Sequence, residues 1–307
     1  MSRIRLSPLH FVSFVVLAGC SPSEGTVLPP ATVTLAAPTA SPQATTPPPA
    51  APVLSEAEVA YRKAIALNRQ GCEQGLGGKC NDLAIAYELG HGTPIDLVVA
   101  ARYYEQACNT KSAEGCANLG ALYDDGKGVN EDKALASSFY ETACQMGASR
   151  GCNHLGLHFY YGQGGRPFDN TKAVELFKRA CDKSDAWGCT NLGYMYWKGA
   201  GVPQDYVRCV ELYQFGCANG DPSGCRNLAI QQELGQGTAL DPGSAAANYT
   251  KACDGGNVAS CKDLARFYET GTGVSMDLHK AKLYYGKACD GGDAPACDKV
   301  GSIANGH

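Results

Sequence analysis

Sixteen cysteines carry most of this chain's capacity for chemistry, and fourteen of them stand in pairs spaced Cys-x7-Cys. The pairs are Cys72 with Cys80, Cys108 with Cys116, Cys144 with Cys152, Cys181 with Cys189, Cys217 with Cys225, Cys253 with Cys261 and Cys289 with Cys297. They recur every 36 residues, with one longer step between Cys144 and Cys181. So many regularly placed thiols argue for oxidation to disulfides in an oxidising compartment. Zinc would need four ligands per site, whereas each repeat offers two sulfurs and no recurring His. A bridge closing a loop of about nine residues contributes roughly 2–3 kcal/mol by restricting the unfolded chain. Cys20 and Cys209 are left over. Cys209 occupies the place held elsewhere by Ala100, Ala136, Ala173, Ala245 and Ala281, so it reads as a small apolar core residue. A redox-active thiol would need exposure and a lowered pKa, for which the sequence gives no sign.

Other chemistry-bearing groups are sparse. His154 and His158 lie one helical turn apart, but Leu155-Gly156-Leu157 between them lacks the Glu of a zinc-protease motif. No third ligand stands nearby in sequence, so no metal site and no cofactor is assigned. Ser-x-x-Lys, Ser-Asp-Asn and Lys-Thr-Gly do not occur, so the familiar serine β-lactamase machinery is missing and no catalytic residue is assigned. Six Gly-x-Gly motifs, such as Gly126-Lys127-Gly128, follow helical patterns rather than strands, which fits helix termination better than a phosphate cradle.

The elements that hold these residues are legible in one unit. From Cys116, Leu119, Gly120 and Tyr123 fall on one face of a helix that stops at Gly126. Ala136, Phe139, Tyr140 and Ala143 then mark a second helix ending at Cys144. A leucine, a small residue and an aromatic on the first face let the second helix approach closely. The loop to Cys152 turns into the next unit, so each bridge clips the end of one hairpin to the start of the next. A fixed period of this length specifies an all-α solenoid whose units bury their apolar faces only against neighbours. In the unit from Cys225 to Cys253, Gln232 replaces the aromatic and Asn248 weakens the second helix, so that unit is expected to be looser.

Leu-Gly-x-x-Tyr, then Gly-x-Gly-Val, then Lys-Ala-x-x-x-Tyr-Tyr-x-x-Ala resembles the Sel1-like repeat, a relative of the tetratricopeptide repeat. With Cys-x7-Cys in every unit, the chain resembles the Helicobacter cysteine-rich protein family. The resemblance covers residues 55–307 and implies a right-handed α/α solenoid stapled by one disulfide per repeat. It also implies envelope adaptor work, and it brings a β-lactamase label and an association with penicillin binding. Any enzyme activity, a weak β-lactamase, rests on that resemblance alone.

In such solenoids the first helices line a concave surface. Two residues after the second cysteine stand Asp82, Asn118, His154, Asn191, Asn227 and Asp263. Asn offers both donor and acceptor, so this row fits the backbone of an extended peptide or, equally, nearby backbone groups of the chain itself. His158, Tyr194 and Trp197, with Tyr160 and Tyr161, add an aromatic patch at mid-array. The expected partner is a protein or extended peptide, with peptidoglycan fragments as an alternative ligand.

Residues 1–20 read as an export signal, with Arg3 and Arg5 before an apolar stretch too short to span a membrane comfortably. The signal ends in Leu17-Ala18-Gly19-Cys20, which resembles a bacterial lipobox and implies cleavage before Cys20 and its lipidation. Residues 21–54 are rich in Pro, Ala and Thr and read as a disordered, semi-rigid tether. The expectation is a lipid-anchored, periplasm-facing envelope protein. Ser21, where an Asp would stand in a retained lipoprotein, favours the outer membrane over the inner. Acidic residues outnumber basic ones, 30 to 26, and no basic stripe appears, which argues against nucleic acid. Alkylation of the denatured, unreduced mature protein is expected to label Cys209 alone. Label at any paired position would contradict the stapled solenoid.

Overall fold

The computed structural model describes residues 55–304, so the signal, the tether and the last three residues lie outside the described residues. Fourteen helices and no strand are found among them. In chain order they are α1 (Glu56–Glu73), α2 (Gly77–Leu89), α3 (Leu97–Asn109), α4 (Ala113–Asp125), α5 (Lys133–Gln145), α6 (Ser149–Tyr161) and α7 (Asn170–Cys181). The series continues with α8 (Ala186–Lys198), α9 (Tyr206–Ala218), α10 (Pro222–Leu234), α11 (Pro242–Asp254), α12 (Val258–Thr270), α13 (Leu278–Asp290) and α14 (Ala294–Ala304).

The helix starts are set by side-chain caps. Ser55 and Glu58 form the expected capping box at α1. Odd-numbered helices from α3 to α13 open on Asp96, Asp132, Asp169, Asp205, Asp241 and Asp277, each accepting a backbone N–H three residues on. Even-numbered helices from α2 to α12 stop at a left-handed glycine, as α4 does at Gly126 (φ 65°). At Gly128, two residues on, φ is 70° and a Cβ would run into the carbonyl of Leu97 in the preceding unit. That glycine lets two backbones touch as well as turning the chain.

All seven expected disulfides form, with Cα–Cα distances from 4.3 to 4.8 Å. Cys72 is bonded to Cys80, Cys108 to Cys116, Cys144 to Cys152 and Cys181 to Cys189. Cys217 is bonded to Cys225, Cys253 to Cys261 and Cys289 to Cys297. Each bridge joins the last turn of an odd helix to the first turn of the next even one, clipping hairpin to hairpin as the spacing predicts. Within a hairpin, the small residue at mid-helix receives a ring: a Cβ on Gly120 would lie 2.9 Å from the ring of Tyr140. Leu83, Leu119, Leu155, Leu192 and Leu264 are buried beside these contacts. Each aliphatic or aromatic side chain removed from water here contributes about 1.5–3 kcal/mol.

Curvature follows from which helices meet across units. α2 touches α4, α4 touches α6, α6 touches α8 and α8 touches α10, while no comparable approach joins the odd-numbered helices among the described residues. The even helices therefore line the inner side of the array. Cys209 is fully buried, its Sγ 3.2 Å from the Tyr206 carbonyl, and burial pushes its thiol up to about 12. It fills the alanine position as expected and is inert at neutral pH.

The unit from Cys225 to Cys253 differs from expectation. In three other hairpins the aromatic at its first-helix position stacks on a ring of the second helix, in Tyr87–Tyr103, Tyr123–Phe139 and Tyr268–Tyr284 (each 5.7 Å). Here Asn248 donates to the side-chain oxygen of Gln232 at 2.8 Å. Both partners changed together, so a hydrogen bond replaces the stack and α10 and α11 pack as closely as other pairs. Gly128→Ala is expected to lower stability by at least about 2 kcal/mol, because strain and a backbone clash add. Gly147→Ala (φ 96°, nothing within 4 Å of its Cβ) should cost only about 1 kcal/mol for strain. Urea midpoints of the two variants decide this, and equal losses would contradict the close approach at Gly128.

Candidate peptide-binding groove

The site arises where a rule of the repeats is broken. In four hairpins a buried tyrosine near the middle of the second helix donates its O–H to a carboxylate at the end of the first. The pairs are Tyr104–Glu88, Tyr140–Asp124 (3.5 Å), Tyr249–Glu233 (2.8 Å) and Tyr285–Glu269 (2.6 Å). Each carboxylate stands eight residues after the second cysteine of its pair. At that register the two central hairpins carry Tyr160 and Trp197, facing Phe177 and Tyr213. Replacing two charges by two rings turns a polar inner edge into an aromatic surface.

These rings form one cluster. Tyr160 donates to the Tyr194 hydroxyl at 3.3 Å, and the two rings meet edge to face at 5.9 Å. Lys198 Nζ donates to the Tyr160 hydroxyl at 2.9 Å and lies 5.3 and 5.7 Å from the Tyr160 and Tyr194 ring centres. Trp197 packs 5.7 Å from Tyr194. Burial would raise the Tyr160 phenol, but the bonds from Lys198 and with Tyr194 outweigh it and hold the group below its ordinary value. The same bond pushes the Lys198 ammonium up, so its charge is secure at neutral pH.

Three cavities run along this surface. One of about 560 Å³ is lined by Arg150, His154, Leu157, Asp185, Trp187 and Asn191. A second, of about 280 Å³, shares Leu157 and Asn191 with it and adds Tyr160, Thr190, Tyr194 and Asn227. A third, of about 200 Å³, shares Tyr194 and Asn227 and adds Trp197, Tyr213, Arg226 and Gln231. The shared walls make a track across α6, α8 and α10. Along it, Thr190 Oγ1 and Gln231 Oε1 are buried without a hydrogen-bond partner. Buried polar atoms are normally paired; Thr190 Oγ1 is turned toward Gly216 and Gly224, which leaves Gln231, on the wall of the third cavity, as the unpaired polar group nearest a ligand.

Of the residues expected to bind peptide, His154, Asn191, Tyr194, Trp197 and Asn227 meet in this track. Three do not. His158 is only 2% exposed, and its Nε2 lies 3.3 Å from both oxygens of Asp124. It is a core histidine holding a neighbouring unit's carboxylate, because its face of α6 points inward against Tyr140. Asn118 donates to Asn81 Oδ1 at 2.9 Å and accepts from Arg150 at 2.8 Å, which uses both ends of its amide. Asp263 is tied to Arg226 at 3.1 Å. Asn191 likewise donates to Asn153 at 2.8 Å. The polar row thus first laces each unit to the one before it, a third use beside the two that the sequence left open. His154 and Asn227 are exceptions: the residues at the matching places before them are Ala117 and Thr190, and no such bond forms, His154 stacking on Tyr140 instead.

Sequence reasoning missed Arg150, Trp187, Thr190, Lys198 and Tyr213. Alignment of the units eight residues past each second cysteine carries a signal for two of them. It shows Glu88, Asp124, Tyr160, Trp197, Glu233 and Glu269 in order, and the break brackets Lys198 and Tyr213.

Stapled hairpins of this length, stacked with a concave inner row, define a helical repeat scaffold. The Sel1 repeat model matches residues 80–109, 113–147, 149–185, 188–221, 222–257 and 258–293, so the chain belongs to the Sel1 repeat family. A Sel1 repeat protein from Oxalobacter formigenes superposes with a TM-score of 0.66 at 22% identity, over 75% of this chain and 94% of that one. A protective antigen of uropathogenic Escherichia coli with the same repeat fold gives 0.53 at 26% identity, over 78% and 59%. Cysteine rich protein B of Helicobacter pylori is 26% identical over 43% of this chain and 94% of that one, with a TM-score of 0.36. No curated protein matches this sequence.

The corrected role of His158 has a pH consequence. Burial alone would raise Asp124, but His158 and Lys133 (Nζ at 3.2 Å) hold its carboxyl below the ordinary range. A carboxyl lowered by folding stabilises the protein above its unfolded pKa, and that contribution is lost as pH falls through the folded value. Asp124→Asn is therefore expected to be less stable than wild type at neutral pH, with the difference shrinking on acidification below the ordinary carboxylate range. Thermal midpoints across that range test it, and a pH-independent difference would contradict the pairing.

Proposed function

We propose that this protein is a lipid-anchored scaffold facing the periplasm that holds an extended segment of a partner protein in its mid-array groove. The observation that carries the reading is the coincidence of an aromatic wall with free polar atoms. Tyr160, Tyr194 and Trp197 supply large contact area at low entropic cost, as at interface hot spots. Asn227 and Gln231 stand between them with capacity to bond a peptide backbone. The connected cavities favour an extended ligand over a compact one. Sel1 repeat proteins in general mediate protein–protein contact, which supports the same reading. Anchoring at Cys20 and the tether of residues 21–54 would set the solenoid off the membrane surface.

Cys20→Ala is expected to release the protein from the membrane fraction. Photo-crosslinking in the native host from a probe at Tyr194 is expected to capture a discrete protein, with the yield falling about tenfold in Asn227→Ala, as for loss of one or two buried hydrogen bonds. Capture of muropeptides instead would move the reading to a cell-wall ligand and justify assaying β-lactam hydrolysis. Undiminished capture by Asn227→Ala would remove the groove from the account.

A further inference from the structure

The third cavity of the track shows what the ligand should bring. Four hairpins pair the buried second-helix tyrosine with a carboxylate of their own. The central hairpin of α8 and α9 keeps the tyrosine, Tyr213, buried at 1% exposure, but carries Trp197 at the carboxylate's register. Tyr213 makes none of the bonds that its four counterparts make, and it lines the cavity of about 200 Å³ together with Trp197, Arg226 and Gln231. Two of the four paired carboxylates are also met by a cation from the following unit, Glu233 by Arg266 at 2.7 Å and Glu269 by Lys299 at 2.7 Å. Arg226 of the following unit also lines this cavity, with its guanidinium paired to Asp263 at 3.1 Å. The surroundings of the track point the same way. Among the described residues neither Arg150 nor Lys198 forms an ion pair; their partners are Asn118 and a tyrosine hydroxyl. The repeat carboxylates on either side are already engaged within the chain, and Asp185, which shares the first cavity with Arg150, accepts from the Gly188 N–H and the Ser149 hydroxyl.

We infer that the groove selects an extended peptide segment bearing an acidic side chain, whose carboxylate accepts the Tyr213 O–H beside Arg226 and so supplies from the partner the group that Trp197 displaced. The inference rests on the peptide-binding reading above and adds the partner's chemistry to it. A glutamate suits the reach, since three of the four carboxylates that serve this tyrosine elsewhere are Glu88, Glu233 and Glu269. The rings of Tyr194 and Trp197 flank that position and would take an apolar or aromatic residue next to it. A hydrogen bond to a charged acceptor in a confined cavity is worth more than a neutral one, so the acid gives specificity as well as affinity.

The test uses the full mature chain and a displayed library of random dodecapeptides. The selected pool is expected to be enriched in Glu or Asp beside an apolar residue. For one selected peptide, the glutamate form should bind wild type about tenfold more tightly than its glutamine form, the size expected for one charge-assisted bond. Tyr213→Phe keeps the ring and should collapse that preference to near unity. A purely structural role for Tyr213 would weaken both forms alike. Trp197→Glu, at a more exposed site, should reverse the preference by like-charge repulsion. A pool without acidic enrichment, or a Glu-over-Gln preference unchanged in Tyr213→Phe, would overturn the acidic inference while leaving peptide binding intact. A library that yields no binder would overturn both.

Discussion

The whole array depends on one contact, the ring near the middle of each second helix seated against a residue with little or no side chain on the helix before it. Tyr140 on Gly120 and Tyr213 on Gly193 show its tightness, with a notional Cβ 2.9 Å from the ring in both. Alanine takes the small position at Ala84, Ala229 and Ala265, all fully buried. Because that seat fixes the distance between paired helices, the capping aspartates, glycine stops and disulfides can repeat at constant spacing around it. A solenoid has no long-range core to rescue a faulty unit, so every neighbour contact must hold. The bridges restrict the unfolded chain at the joints where adjacent hairpins meet, which is where such an array would otherwise come apart.

Function sits where the regular unit is modified without disturbing that seat. Tyr160 and Trp197 lie at the rim of their hairpins, one helical turn or more beyond the small-residue contact, so replacing carboxylates there leaves the packing of α6 on α7 and α8 on α9 in place. The cost falls on a hydrogen bond, and the gain is an aromatic track with polar atoms free. The unit containing Gln232 and Asn248 shows the opposite case. There both partners of a stack changed and a hydrogen bond restored the fit. An uncompensated exchange marks a site better than an unusual residue does.

Much of this was legible in the sequence. The cysteine step gave the period and the staples, and the position of Leu119, Gly120 and Tyr123 gave the buried face. Tyr194, Trp197, Asn191, Asn227 and His154 fell into the groove because residues just off the buried stripe must face inward. His158 failed because its helical face is set by the close approach of α4 and α6, a tertiary fact that spacing within one helix does not contain. Asn118 and Asp263 failed for a related reason: their partners, Asn81 and Arg226, stand 37 residues away, and nothing local in sequence distinguishes an amide that binds a ligand from one that laces two repeats. The tyrosine–carboxylate rule was present in the sequence at a constant separation of 16 residues, and only the buried position of the rings made it meaningful.

The central claim is that recognition is confined to the inner faces of α6, α8 and α10. Hydrogen exchange along the full chain, free and saturated with a selected peptide or captured partner, tests it most directly. The account predicts added protection in those three helices and in the turns that follow them, with α3, α5, α11 and α13 unchanged. Protection centred on the odd-numbered outer helices, or on either end of the array, would contradict it.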